Sequence, residues 1–146
     1  MRLAVLAGEG MSTNILLNWL HDQGFQDIEV ILEDAVPRLV LLRHRFRRLG
    51  TWTVFGQILF QLICVPLLHR VSASRRQEIM LQYALRDDEP TNVCRFHVTS
   101  INDAETVELL QKRKPDLVLV NGTRIIRDRV LNSVYCPFLN THVGIT

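Results

Sequence analysis

Two residues near the carboxyl end of the sequence, Asn140 and His142, have the types and the spacing for acyl chemistry. They follow the apolar run Pro137-Phe138-Leu139. In a β-strand residues i and i+2 project to one face, so both side chains can enter a single cleft while Thr141 faces away. An Asn amide donates a hydrogen bond to an oxygen gathering negative charge, and an imidazole exchanges a proton near neutral pH. The pair therefore suits transfer of an acyl-type carbon.

Such a pair needs a framework, and the chain supplies the pattern of a parallel sheet. Leu3 to Ala7 is a continuous apolar run of strand length, as expected of a strand covered on both faces. Gly8-Glu9-Gly10-Met11-Ser12-Thr13-Asn14 makes a turn and offers cap residues for a helix carrying Ile15, Leu16, Trp19 and Leu20 and ending near Gly24. Ile28 to Leu32 reads as the second strand, which completes a βαβ unit. Val93 to Val98 is a third strand, and Asn102 with Glu105 reads as a capping box for a helix that Pro115 stops. Asp116 to Asn121 is the strongest strand signal, because its centre has no polar alternation. A turn at Gly122-Thr123, a short helix from about Ile125 to Leu131 and a last strand then lead to Asn140. The expected class is α/β, Rossmann-like, with a mostly parallel sheet and helices on both faces.

The middle breaks this rhythm. Arg43, Arg45, Arg47 and Arg48 precede Thr51 to Leu68, a stretch of 18 residues without a charged side chain. Its length is near the lower limit for a membrane span, but Gly56, Gln57, Gln61 and Pro66 interrupt it. Three readings stand: a covered helical hairpin that includes an oligomer interface, an interfacial membrane segment with a basic flank, and a true span. Residues 36-86 are thus expected to form an apolar and basic helical insertion within one domain, 1-146.

Composition narrows the function classes. At 146 residues, with 47% hydrophobic and 22% charged, the chain is long enough for one core and too apolar to be disordered. A net charge of +2 leaves little electrostatic reach toward nucleic acid. Cys64, Cys94 and Cys136 are widely spaced and odd in number, which argues against a disulfide framework or a zinc site and for a reduced, cytoplasmic setting. His21, His44, His69 and His97 lack a partner pattern, and Trp19 and Trp52 read as core or interface anchors.

The segments Lys114 to Ile126, Val130-Leu131 and Asn140 to Thr146, in that order, resemble the folate-dependent formyltransferase family, which includes methionyl-tRNA, glycinamide ribonucleotide and sugar-amine formyltransferases. The resemblance covers roughly the last 45 residues and, more loosely, about the first 30; it is absent from Val36 to Arg86. It implies the formyltransferase fold and an enzyme that moves a formyl group from 10-formyltetrahydrofolate to an amine, with no metal. Asn140 and His142 would be catalytic. Gly122, Arg124, Ile125 and Ile126 would flank the folate, although Ile125 and Ile126 can equally begin a buried helix and Arg124 can be a solvated surface charge. Gly8, Gly10, Ser12, Thr13 and Asn14 would hold a substrate anion, since small residues at a helix N-terminus let backbone N–H groups approach it. Glu9 would oppose that if it turned inward. The family's catalytic Asp falls beyond Thr146, so the resemblance implies a catalytic domain cut short at its carboxyl end. The expected acceptor is a small amine, phosphorylated or nucleotide-linked, with the basic run leaving transfer RNA open. Hydrolysis of the formyl group and a non-catalytic ligand- or partner-binding module are the alternatives, and residues 51-68 are expected to meet a membrane surface or a second copy of the chain.

Overall fold

The apolar run at the amino end forms β1 (Leu3–Gly8), the central strand of the protein. In the computed structural model, which describes residues 1–141, β1 pairs in parallel with β2 (Ile28–Glu33) on one side. β3 (Cys94–Val98) adds beyond β2, β4 (Leu117–Asn121) flanks β1 on the other side, and β5 (Phe138–Asn140) adds beyond β4. The result is a five-stranded, all-parallel sheet of order β3-β2-β1-β4-β5, a Rossmann-like α/β arrangement. Among the described residues the helices are α1 (Met11–Asp22), α2 (Arg38–Leu49), α3 (Thr51–Leu59), α4 (Val65–Val71), α5 (Ala73–Gln82), α6 (Ala104–Arg113) and α7 (Asp128–Leu131). A π-helical turn, Phe60–Cys64, joins α3 to α4.

Period-two alternation along β1 divides the core. Leu3, Val5 and Ala7 pack with Leu17 and Leu20 of α1, while Ala4 and Leu6 pack on the opposite face with Leu110 of α6 and Val130 of α7. Val5 and Leu6 are both fully buried, which is why this strand carries no polar residue. Burial of each such side chain contributes about 1.5–3 kcal/mol. The helix after β1 and the helix after β4 lie on opposite faces, as right-handed crossovers require when the sheet grows outward in two directions from its centre. A crevice therefore opens at the carboxyl ends of β1 and β4, where ligands bind in open α/β sheets.

Helix ends follow local chemistry only in part. Ser12, Thr13 and Asn14, expected to cap the first helix, lie inside α1, whose N-cap is Gly10 without a side-chain bond, and the Thr13 hydroxyl turns to the Gly8 carbonyl instead. Lys114 adopts a left-handed conformation (φ 49°) after α6, Pro115 cannot continue the helix, and Lys112 and Arg113 sit favourably at the negative end of its dipole. Asn102 departs as well. Asp103, not Asn102, is the N-cap of α6, and it makes no side-chain cap bond. The Asn102 amide instead donates to the Ile125 carbonyl (3.0 Å), and its Oδ1 accepts from the Arg127 N–H (2.7 Å). That clasp holds residues 125–127 in a non-helical loop and delays the expected helix to Asp128.

Contacts divide the chain into two units, one of Met1–Ala35 together with the chain from Arg86 onward, the other of Val36–Leu85. The second unit is wholly helical in its regular structure. Its α3, π turn and α4 run on as one rod, Thr51–Val71. Pro66 explains the π turn: it has no N–H to donate and its ring crowds the Leu62 carbonyl, so the preceding turn widens by a residue.

Candidate functional site

Gly8 ends β1 at a tight approach: a Cβ there would stand 3.0 Å from the carbonyl oxygen of Gly122, so a larger residue would require the Gly122 backbone to shift. Gly122 turns the chain after β4 with φ 69°, a conformation that disfavours other residues. The two loops thus approach backbone to backbone. A chain of side chains ties them further. The Thr13 hydroxyl donates to the Gly8 carbonyl (2.7 Å), the Asn121 amide donates to Thr13 Oγ1 (3.1 Å), and the Thr141 hydroxyl lies 3.0 Å from Asn121 Oδ1. Thr141 also donates its N–H to the Val120 carbonyl at 2.9 Å, which fixes the end of β5 against β4. Contrary to the alternation expected of an unbroken strand, Thr141 turns toward this network, because β5 ends at Asn140.

The loop after β4 is anchored by a residue that sequence reasoning missed. Glu33, the last residue of β2, is buried, and its two carboxylate oxygens accept from the N–H groups of Ile101 (2.8 Å) and Arg124 (3.0 Å). The Arg124 guanidinium lies 3.3 Å from the same carboxylate and donates to the carbonyls of Asp34 and Thr99. Arg124 is therefore neither a free surface charge nor a free ligand group; it staples its loop to the ends of β2 and β3. With Asn102 holding the other half, the loop presents Ile125 outward, 92% exposed.

These restraints frame a cleft of about 720 Å³, whose lining includes Ser12, Asn121, Gly122, Ile125, Ile126 and Asn140. Arg124, Phe138 and Thr141 also contribute to its wall. The candidate folate residues Gly122, Arg124, Ile125 and Ile126 and the candidate catalytic Asn140 thus share one opening at the carboxyl edge of the sheet. Asn140 is exposed, so its amide is available to a ligand. His142 lies outside the described residues. The lining is mostly apolar with a few amide and hydroxyl groups, a composition suited to a flat heterocycle held by a small number of polar contacts.

The residues proposed for a substrate anion divide. Gly10, Thr13 and Asn14 line a separate, smaller cavity of about 300 Å³, with Glu9, Glu89, Arg95 and His97 among its other walls. Ser12 faces the larger cleft, and Gly8 serves the turn. Thr13 is buried with its hydroxyl committed to Gly8, and the Asn14 amide donates to the Asp87 carbonyl (3.1 Å). Arg95 pairs with Glu89, and His97 Nδ1 lies 3.6 Å from Glu9 Oε1, so each basic side chain of this cavity sits beside a carboxylate. Sequence spacing could not show the His97 pair, which joins the first loop to an edge strand. Among the described residues no group of three or more His, Cys, Asp or Glu is arranged to hold a metal ion.

Fold and cleft together define a Rossmann-like α/β protein with a ligand-sized crevice where its strand order reverses. Compared with known proteins, the chain matches no family model and no curated protein.

Proposed function

We propose that the larger cleft is a formyl-transfer site, with the protein adopting the formyltransferase version of the Rossmann-like fold and moving a formyl group from 10-formyltetrahydrofolate to an amine. One observation carries the reading: Asn140 and the 122–126 loop, far apart in sequence, line the same cleft at the carboxyl edge of the sheet. The exposed Ile125 with Ile126 offers an apolar wall for the pterin, held still by Glu33 and Asn102. The amine attacks the formyl carbon, a C–N bond forms, and charge gathers on the formyl oxygen. Asn140 donates its amide hydrogen there. As the bond to the folate nitrogen breaks, that nitrogen takes up the proton the amine gives up, and the imidazole of His142 is assigned to carry it. The acceptor is read as a small amine. A phosphorylated or nucleotide-linked one would bring its anion to the start of α1, where backbone N–H groups favour it and Glu9, which lines the same cavity, opposes it.

The test is binding of 5-formyltetrahydrofolate to the chain by calorimetry, followed by release of tetrahydrofolate from the 10-formyl isomer with and without amine acceptors. Saturable binding and amine-dependent release are expected, with Asn140→Ala holding the ligand while lowering transfer by about 10²–10³-fold. Absence of folate binding would sink the reading, and equal release in water alone would make the protein a hydrolase.

A further inference from the structure

We propose that the helical unit Val36–Leu85 is a membrane-surface anchor that lies flat on an anionic lipid bilayer, its rod Thr51–Val71 seated at the headgroup boundary. This stands independently of the formyl-transfer reading. Three observations converge on it.

The first is charge. Residues 36–85 carry eight arginines against one acidic side chain, Glu78, a formal +7. The rest of the chain has nine basic and fourteen acidic residues, a formal −5. The net charge of +2 conceals this division. Arg43, Arg45, Arg47 and Arg48 end α2 immediately before the rod, and Arg70, Arg75 and Arg76 follow its apolar part. Each such arginine near an anionic surface strengthens attachment by about fivefold.

The second is the apolar face between those charges. On the rod, Val54 is buried and Gln57, Ile58, Cys64 and Val65 are half-buried, forming one covered stripe. The rest of the rod exposes Trp52 (86%), Phe55, Leu59, Leu62, Ile63 and Leu67. A patch of this kind in water marks an interaction surface, and an exposed Trp beside arginines suits the boundary between headgroups and acyl chains. An RNA partner would use the arginines but leave the apolar face wet. A second copy seated face to face would set +7 against +7.

The third is topology, which selects lying flat over crossing. The rod is about 31 Å long at 1.5 Å per residue, enough to cross a bilayer. Yet the chain leaves β2 to enter this unit and returns from it into β3, and β2 and β3 are hydrogen-bonded neighbours in one sheet. A single crossing would put those two strands on opposite sides of the membrane. A return crossing would need a second apolar leg. α5 has ten residues with Arg75, Arg76 and Glu78 among them, and α2 carries its arginines throughout, so neither can serve.

The test uses the full chain with phosphatidylcholine vesicles, with and without phosphatidylglycerol, read by co-sedimentation. Binding to the anionic vesicles alone, weakened by salt, is expected. Replacing Arg43, Arg45, Arg47 and Arg48 by Gln should lower partitioning by on the order of several hundred-fold. In a second arm Trp19→Phe leaves Trp52 as the only indole. Its emission should shift to the blue on vesicles and be quenched more by a shallow than by a mid-bilayer lipid label. That arm leaves residues 36–85 unaltered, so it remains decisive if the arginine variant misfolds. The proposal is overturned by absence of vesicle binding, by deepest quenching at the bilayer centre, by RNA binding without vesicle binding, or by a dimer in buffer that buries Trp52 and abolishes vesicle binding.

Discussion

The sheet unit and the helical unit treat their apolar residues in opposite ways. In the sheet unit Val5 and Leu17 are buried on one face of the sheet and Leu6, Ile101, Leu110 and Val118 on the other, and the polar loops above them are fastened by named hydrogen bonds. In the helical unit large apolar residues from Leu39 to Val71 stand in solvent. Leucines are plentiful in both, so hydrophobic content does not separate them. Period does: strand alternation with helices on both faces encloses side chains from two directions, whereas a lone rod with one covered stripe leaves most of its circumference open.

The sharpest way to probe that contrast is one substitution made in both units. Leu6→Ala removes a fully buried side chain from the sheet and should destabilise its unit by about 3 kcal/mol. Leu62→Ala acts on a residue 70% exposed and should change stability by less than about 0.5 kcal/mol, while weakening the vesicle binding proposed above. Urea unfolding followed by circular dichroism checks both, and comparable losses would break the distinction.

A smaller effect tests whether loop fastening belongs to the sheet unit. Glu33→Gln retains the shape but leaves one amide hydrogen facing the N–H of Ile101 or of Arg124. A loss of about 1–2 kcal/mol is expected, together with faster hydrogen exchange at Arg124 and Ile125. Unchanged exchange there would mean that the loop over the cleft does not depend on the buried carboxylate.

The smallest effect concerns the cysteines of the sheet unit. Burial, with the Asp116 charge adding to it, pushes the Cys136 thiol above its ordinary value. Cys94 is exposed. At neutral pH Cys136 should be alkylated more slowly than Cys94, being both less exposed and less often a thiolate. Because the folded state holds the Cys136 proton more tightly than the unfolded chain does, its contribution to stability is complete below the unfolded value. It is lost as pH rises through the folded one. Equal labelling rates, read by mass spectrometry, would remove burial as the distinguishing feature.

β1, β2 and β4 were legible because each is a largely apolar run between glycine, proline or charged punctuation, whereas β3, at the sheet edge, alternates Arg95 and His97 with apolar residues. Leu3, Ile28 and Val98 mark boundaries that the structure keeps, and β4 begins one residue later than expected, at Leu117. The cleft was legible only in part. Asn140, Gly122, Ile125 and Ile126 share an opening, but nothing local identifies Glu33, which reads as the polar residue after a strand until the loops of Ile101 and Arg124 close on it. Asn102 shows the converse. Its spacing to Glu105 suits a helix cap, and a competing partner more than twenty residues away takes its amide.

Order of elements, the central place of the doubly apolar strands, the glycine turns and the basic flank of the apolar rod were written in the residues themselves, because each depends on side-chain period or on local backbone freedom. The partners of Glu33, Arg124, Asn121 and His97, and with them the walls of the cleft, were decided only when the chain folded. Hydrogen bonds between residues distant in sequence form where the sheet brings loop ends together, and no local pattern records which donor arrives first.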